Sequence, residues 1–94
     1  MRRAARIDRN QPEIIQAFRN AGATVQPLHT IGKGCPDIVV GYCGRNFLVE
    51  IKDGMLPPSK RCLTADELKW HAEWEGQVCV VDSVQAAREL LTLG

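Results

Sequence analysis

Apolar residues near the start of the chain recur at the spacing of an α-helix. They are Ile14, Ile15, Phe18 and Ala21. At about 100° per residue they lie on one helical face. Asn10 precedes them and Glu13 follows three residues later, a pattern typical of a capping box. Because Gly22 is suited to ending a helix, we predict a helix that opens at Asn10 and stops before Gly22.

Short apolar segments after this helix have the character of β-strands. They span residues 23–28, 36–41 and 46–52. Residues 43–45 predict a hairpin turn between the second and third strands. The glycine-containing segment 30–34 predicts a loop, and 53–62, with one glycine and two prolines, predicts a mobile loop.

The rest of the chain predicts a helix, a strand and a final helix. Thr64 and Glu67 form a second capping box, Gly76 ends that helix, and residues 77–81 predict a strand. Ser83 caps the last helix. Its apolar positions are Val84, Ala87, Leu90 and Leu91. The order αβββαβ with a C-terminal helix indicates the α/β class, as an α+β fold with a mixed sheet and helices against it.

The composition is that of a soluble globular protein, with 45% hydrophobic and 24% charged residues. The length predicts a single domain over residues 1–94. Residues 1–9 are basic and predict either a flexible solvated arm or a phosphate contact. Since no apolar run approaches the roughly 20 residues of a membrane-spanning helix, and no secretory signal is apparent, we expect no membrane association and a cytoplasmic location.

Charge and cysteine content narrow the classes of protein further. The net charge of +1 argues against a protein that coats nucleic acid, although acidic metal ligands would offset basic residues in that count. Cys35, Cys43, Cys62 and Cys79 lack the spacing of a zinc site. We expect reduced, buried thiols and no structural zinc.

One predicted strand carries charged residues among apolar ones. Alternation places Phe47, Val49 and Ile51 on one face and Leu48, Glu50 and Lys52 on the other. Asp37 begins the preceding strand, so a hairpin brings it near Glu50 and Lys52. Unpaired charges in an apolar strand are costly, which favours a functional role. The alternative is a surface pair of Glu50 with Lys52, and Asp37 as a turn residue.

Two carboxylates and a lysine supply what phosphodiester hydrolysis needs. Mg²⁺ held by one or two carboxylates keeps positions open for water and a phosphate oxygen. The cation polarises the phosphate and lowers the pKa of the water, and a lysine offsets the charge that builds on the phosphate. Asp37, Glu50 and Lys52 are therefore candidates for a divalent-metal phosphodiesterase site.

Three segments in this order carry a family resemblance: GCPDIVVG (34–41), FLVEIK (47–52) and LTADELKWHAEW (63–74). Together with residues 6–25, they resemble the PD-(D/E)xK nucleases, and more narrowly stand-alone VRR-NUC domains of phage or bacterial type. The resemblance implies a restriction-endonuclease-like fold and a DNA endonuclease that uses Mg²⁺ or Mn²⁺ and no small-molecule cofactor. It implies Asp37, Glu50 and the carbonyl of Ile51 as metal ligands. Lys52 becomes the catalytic lysine.

Acidic residues on two helices extend the implied site. Glu13 matches an acidic residue that such nucleases carry on the first helix, as a metal ligand, with helix capping as an equal alternative. Glu67 replaces the glutamine of the family pattern Leu-Thr-x-x-Gln, and is a catalytic candidate or a cap. A helical wheel places Glu67 and His71 between the tryptophan side and the alanine–leucine side. For His71 a core or rim position is favoured, and Trp70 and Trp74 predict core or subunit interface.

Basic residues supply the candidate DNA contacts: Arg6, Arg9, Lys33, Lys60 and Arg61. Each is equally compatible with a solvated surface charge. Similarity to Holliday-junction resolvases implies a homodimer acting on branched DNA. Two other hypotheses stay open: a non-catalytic DNA-binding or assembly module on the same scaffold, and a structural protein in which Glu50 and Lys52 are exposed and far from Asp37.

Overall fold

The computed structural model of the protein describes residues 7–93. Its elements are α1 (Gln11–Asn20), β1 (Thr24–Pro27), β2 (Ile38–Tyr42), β3 (Arg45–Ile51), a 3-10 helix (Pro58–Lys60), α2 (Ala65–Glu73), β4 (Val78–Val81) and α3 (Val84–Leu93). The predicted order is confirmed, and strand ends differ from prediction by one or two residues. Across residues 7–93, no helix has the length and apolar character needed to cross a membrane.

The strands of residues 7–93 form one mixed sheet in the order β1-β2-β3-β4. β1, β2 and β3 are antiparallel neighbours, whereas β4 pairs with β3 in parallel. Parallel pairing requires a crossover connection, and α2 lies in it. Ile38 pairs with Val49, and Ile51 pairs with Val81. The end of β3 therefore lies between the start of β2 and the end of β4.

One face of this sheet packs against α1 and α3. The core includes Ile14, Phe18, Ile38, Val40, Phe47, Val49, Ile51, Val81, Ala87 and Leu91. Phe47, Val49 and Ile51 enter it as the alternation predicts, so Glu50 and Lys52 project to the opposite face. Each large buried side chain contributes about 1.5–3 kcal/mol. A one-residue slip of β3 would place its charged residues in this core, so burial sets the register.

Asn10 is the N-cap residue of α1, but within the described residues its side chain does not cap the helix. Its Nδ2 atom donates to the carbonyl oxygens of Lys52 (3.0 Å) and Asp82 (3.3 Å). The predicted capping box of Asn10 with Glu13 is therefore wrong, because the buried amide satisfies carbonyl groups at the ends of β3 and β4 instead. These bonds attach the start of α1 to the sheet edge that carries Lys52.

The cysteines are free thiols, but the expectation that they are buried is wrong. Cys43 lies in the tight hairpin turn, where its φ is 52°, and it is exposed together with Cys62. Cys35 and Cys79 are only half-buried. Turn and loop positions place the first two thiols in solvent, which sequence hydrophobicity does not reveal.

α2 is packed less deeply than the other two α-helices. Its N-terminus carries the predicted capping box of Thr64 and Glu67, yet none of its own residues is fully buried within the described structure. The tryptophan side and the alanine–leucine side of the helical wheel both reach the surface, since Leu68 is 58% exposed and Trp74 is 44% exposed. Trp70 and Trp74 stack on each other with ring centroids 4.7 Å apart. The pair is therefore outside the core, and α2 leaves apolar surface open.

Candidate active site

Asp37, Glu50 and Lys52 converge at the end of β3. Asp37 directly precedes β2, and the antiparallel pairing of β2 with β3 brings its carboxyl group to that of Glu50. Asp37 Oδ2 accepts a hydrogen bond from the backbone N–H of Ile51 at 2.7 Å. Lys52 Nζ lies 3.6 Å from Glu50 Oε2. Since Glu50 is only 2% exposed, the hypothesis of an exposed Glu50–Lys52 pair far from Asp37 is wrong.

A cavity of about 250 Å³ opens among these residues. Its lining includes Lys33, Lys52, His29 and five carboxylates, those of Asp8, Asp37, Glu50, Asp66 and Glu67. Asp8 interacts electrostatically with Asp37 and Lys52. Asp8 was not predicted as a site residue, because in the sequence it is only an acid among arginines, with no spacing that relates it to the β-hairpin. We refer to this cavity as the acidic pocket.

Burial raises the pKa of both carboxyl groups at the centre of the acidic pocket. For Asp37 it outweighs the lowering effect of the Ile51 hydrogen bond. Burial, together with the neighbouring Asp37 and Glu67, raises the pKa of Glu50 to about 10. Without a cation, Asp37 and Glu50 therefore share a proton at neutral pH. Glu50 Oε1 is buried and has no hydrogen-bond partner among the described residues.

This pair of carboxyl groups fits a hard divalent cation. Such a cation removes the repulsion between Asp37 and Glu50 and gives the unpartnered Glu50 oxygen something to bind. Ile51 lines the same pocket. Within residues 7–93, no three His, Cys, Asp or Glu side chains are grouped to hold a metal ion by themselves. Mg²⁺ requires only one or two carboxylates and completes its shell with carbonyls, water or substrate, so the donor set is adequate.

Glu67 holds the ammonium group of Lys52. Lys52 Nζ donates to Glu67 Oε1 at 2.7 Å, and the same oxygen accepts from the backbone N–H of Thr64 at 2.9 Å. Burial is the largest single influence and disfavours both charges, but the hydrogen bond between them, together with the other hydrogen bonds and charges nearby, outweighs it, lowering the pKa of Glu67 and raising that of Lys52. Glu67 therefore caps α2 and also contacts the lysine of the acidic pocket.

The loop before β2 packs on the start of α2 at Gly34. Its φ is +82°, and a Cβ atom there would overlap the backbone carbonyl of Asp66. This close approach brings Lys33 and the first turn of α2 to the same pocket. A side chain at residue 34 would push the two walls apart.

We expect Gly34→Ala to lower the free energy of unfolding by roughly 3 kcal/mol, from left-handed strain and overlap with backbone. Gly44→Ala is the matched control, because Gly44 has a φ of +78° but open space around it. Strain alone should cost about 1 kcal/mol there. Urea denaturation of both variants measures the difference, and equal losses would contradict the close packing.

Glu13 is not brought to the acidic pocket. It is exposed on α1 and lines a separate cavity with Asp53 and Asp82. The reason is that the chain before α1, through Asp8, borders the acidic pocket, whereas the first turn of the helix lies beside the end of β4. The position expected for an acid on the first helix is thus occupied by a residue upstream of it.

The predicted DNA-contacting lysines lie at or near the pocket. Lys33 is exposed on the pocket wall, with a φ of 57° between two glycines. Lys60 is exposed on the 3-10 helix. Arg6 lies outside the described residues.

Two predicted DNA-contacting arginines make ion pairs instead of standing free. Arg9 Nε and Nη2 donate to the two carboxylate oxygens of buried Asp53, each at 3.1 Å. Arg61 Nη1 lies 3.3 Å from Asp82 Oδ2. Because these pairs hold residues 53–62 at both ends, the segment is better described as an anchored loop with one 3-10 turn.

The chain is similar to a solved structure described as a VRR_NUC domain. The two superpose with a TM-score of 0.65 and share 27% sequence identity, over 89% of this chain and 91% of that chain. The chain folds as a VRR-NUC domain. No family model and no curated protein sequence matches it.

The VRR-NUC fold confirms the resemblance read from segments 34–41, 47–52 and 63–74, as well as the restriction-endonuclease-like architecture. It indicates a nuclease-like domain, for which DNA as substrate and divalent metal use are the general expectations. At 27% identity most positions differ between the two chains, so the chemistry of this VRR-NUC domain has to be argued from its own residues.

Proposed function

We propose that this VRR-NUC domain is a metal-dependent DNA endonuclease of the PD-(D/E)xK type. The observation that carries the proposal is the buried carboxyl group of Glu50 beside that of half-buried Asp37, with the ammonium group of Lys52 3.6 Å from Glu50. Burying two acids that repel each other costs stability, whereas a cation between them turns the repulsion into binding. Asp37, Glu50 and the carbonyl of Ile51 would hold Mg²⁺ or Mn²⁺.

Five residues of the acidic pocket have a role in this hydrolysis: Asp37, Glu50, Ile51, Lys52 and Glu67. The N–H of Ile51 orients the carboxylate of Asp37, and Glu50 gives up its proton when the site is loaded. The cation, when bound, supplies polarisation of the phosphate and a lower pKa for the attacking water. Lys52, held by Glu67, places its charge beside the phosphate oxygens on which negative charge builds.

Exposed apolar residues on α2 and on the outer face of β4 support a homodimer. Leu68 is 58% exposed, Trp74 44% and Val80 46%, and large exposed apolar side chains mark a protein interface where they form one patch. Two active sites in one dimer suit a branched substrate, such as a Holliday junction, that is cut in two strands.

We expect Leu68→Glu to raise the dissociation constant of this dimer by at least about 30-fold, because each copy would bury an unpaired charge. Leu93→Glu is the matched control, since Leu93 is 86% exposed on α3, away from α2. Light scattering at micromolar concentration measures the mass of each variant. If the native protein is a monomer at every concentration measured, the proposed dimer is wrong, and so is the proposal that two sites cut a junction together.

A cleavage panel tests the proposed function. Duplex, flap, single-stranded and four-way DNA are incubated with the native domain and with Asp37→Ala, each with Mn²⁺ or with EDTA. We expect cleavage only by the native domain with Mn²⁺, and the fastest cleavage on branched DNA. Calorimetric titration with Mn²⁺ accompanies the panel. A domain that binds DNA but shows neither cleavage nor carboxylate-dependent Mn²⁺ binding would be the non-catalytic module instead.

A further inference from the structure

A second, larger cavity borders the acidic pocket on the far side of Lys52. It encloses about 760 Å³ and shares Asp8, Lys52 and Thr64 with the acidic pocket. Its other lining residues are Ile7, Arg9, Asp53, Leu56, Pro57, Lys60 and Cys62. We call this cavity the flanking groove. A ligand that fills the acidic pocket can therefore continue past Lys52 into it.

The flanking groove differs from the acidic pocket in chemistry. One wall is apolar, formed by Ile7 (47% exposed), Leu56 (40% exposed) and Pro57. Lys60 adds an exposed cation to the same groove. Five carboxylates line the acidic pocket, but only those of Asp8 and Asp53 line the groove.

The cations of the groove are not equally available to a ligand. Arg9 is held by two hydrogen bonds to Asp53, and Lys52 is held by Glu67. Lys60 lies on the exposed 3-10 helix, next to the apolar wall. An anionic group in the flanking groove would therefore meet Lys60, while an apolar ring beside it would meet Leu56 and Pro57.

We propose that the flanking groove binds the nucleotide next to the scissile phosphate, with its base against Leu56 and Pro57 and its phosphate at Lys60. The inference rests on the proposed nuclease function. The volume is within the roughly 300–1,000 Å³ of pockets that enclose small organic ligands. A nucleotide combines a flat apolar ring with an anion, which is the combination that this groove offers side by side.

A base can enter the flanking groove only after leaving its stack in the duplex. Unstacking and unpairing cost least for a nucleotide that is mismatched or already single-stranded. The groove therefore selects DNA with an unpaired or loosely stacked nucleotide beside the cleavage point. It provides a physical basis for structure selectivity in one subunit, independent of how two subunits are arranged.

Two substitutions and a modified substrate test this subsite. Leu56→Ala and Lys60→Ala alter the groove, and Met55→Ala and Lys69→Ala are their matched controls. Met55 is the 84% exposed neighbour of Leu56, and neither control residue lines the groove or the acidic pocket. The substrates are a flap series in which a single abasic nucleotide occupies each position around the cut in turn. Rates and KM are measured with Mn²⁺.

We expect Leu56→Ala to raise KM roughly 5- to 20-fold, towards the low end of the range for losing an aromatic stacking contact with a base, because an aliphatic side chain covers less of the ring, with kcat within about two-fold. One abasic position should impose a similar loss on the native domain and little further loss on Leu56→Ala, because both remove the same contact. Lys60→Ala should reduce the slope of log KM against log salt concentration by about one, the change expected for the loss of one phosphate contact. Thermal unfolding of all variants checks that the loop is intact.

Two results would overturn the inference in distinguishable ways. Suppose that the native domain cleaves, but KM is the same at every abasic position and the same for Leu56→Ala as for Met55→Ala. The groove is then not a nucleotide subsite, and the proposed function stands. If the native domain cleaves nothing with Mn²⁺, the proposed function fails and takes the subsite with it.

Discussion

Glu50→Gln is expected to lower cleavage at least 1,000-fold, approximately, while raising the free energy of unfolding of the metal-free domain by roughly 2 kcal/mol at pH 8. Activity falls because an amide cannot serve as an anionic ligand for a hard cation. Stability rises because the amide keeps the shape and donor capacity of the neutral carboxyl group, and folding no longer has to keep a proton on a group that the unfolded chain ionises at this pH. Most substitutions of buried residues destabilise, so the sign of this effect is diagnostic.

The pH dependence of that gain follows from the pKa shift of Glu50. Its pKa rises from an ordinary value of 4.5 to about 10 in the folded protein, mainly through burial. Between these two values the folded state binds more protons than the unfolded state, so stability falls as pH rises. Asp37, with a raised pKa, acts in the same direction. The gain from Glu50→Gln should therefore be absent at pH 4 and increase towards pH 9.

Two other shifted groups do not disturb this window. Glu67 has a lowered pKa, so the stability that it contributes is lost only as pH falls below its ordinary value of 4.5. Lys52 has a pKa raised above 10.5, so its contribution is lost only at higher pH. The slope between pH 4.5 and about 8 thus reports on the Asp37–Glu50 pair, whereas at higher pH the thiols of Cys35 and Cys79, whose pKa values burial raises from 9.0, add to it.

Urea denaturation in EDTA at pH 4, 6, 8 and 9 measures the free energy of unfolding of Glu50→Gln and of the native domain. Repeating it with Mn²⁺ measures how much metal binding stabilises each of them. Mn²⁺ should stabilise the native domain, increasingly so at higher pH, and leave Glu50→Gln unchanged. Glu73→Gln is the control, because Glu73 is an exposed carboxylate on α2 and should show neither effect. A loss of stability in Glu50→Gln at pH 8 would mean that Glu50 is stably ionised in the fold.

Lys52→Met is expected to reduce the single-turnover rate of cleavage about 100- to 1,000-fold, the range for losing one preorganised charge-stabilising group. Methionine retains the apolar stem in a side chain that is 12% exposed, so the fold should persist. DNA affinity, measured by anisotropy with Ca²⁺, should change less than about five-fold, because the charge acts chiefly as negative charge builds during the reaction. Cleavage within ten-fold of native would remove Lys52 from the chemistry.

Variants of Glu67 distinguish the residue that positions Lys52 from the lysine that acts in the reaction. Lys52→Met leaves the Glu67 carboxylate half-buried, and its Oε1 atom then accepts only from the backbone N–H of Thr64 among the described residues, so stability should fall. Adding Glu67→Gln should recover stability but not cleavage. Glu67→Gln alone should retain activity within about ten-fold, because the amide oxygen can still accept from both Lys52 and Thr64.

Local sequence patterns predicted the elements of the fold well. Ile14 and Phe18 at helical spacing form the core face of α1, and the capping box of Thr64 and Glu67 is present at α2. These features depend on residues within one or two turns of each other, so their physics is contained in a short segment. Strand alternation also predicted which face of β3 carries Glu50.

Contacts between distant segments were predicted poorly where a side chain had several possible partners. Asn10 is a residue type that often caps helices, yet its side-chain amide donates hydrogen bonds to carbonyl oxygens 42 and 72 residues away, at Lys52 and Asp82. Arg9, a candidate for contacting DNA phosphate, donates hydrogen bonds to the carboxylate of Asp53 instead. A short polar side chain satisfies whichever buried group is nearest, and only packing decides which group that is.

The amino-acid sequence by itself determined the order of elements, the register of β3 and the meeting of Asp37, Glu50 and Lys52, because hydrophobic periodicity and hairpin geometry are local. Tertiary structure alone decided that Asp8, and not Glu13, borders the acidic pocket, that Glu67 holds Lys52, and that a groove lies beyond it. Those arrangements depend on how α1, α2 and the loop at 53–62 dock on the sheet, and docking is set by the summed packing of residues far apart in the chain.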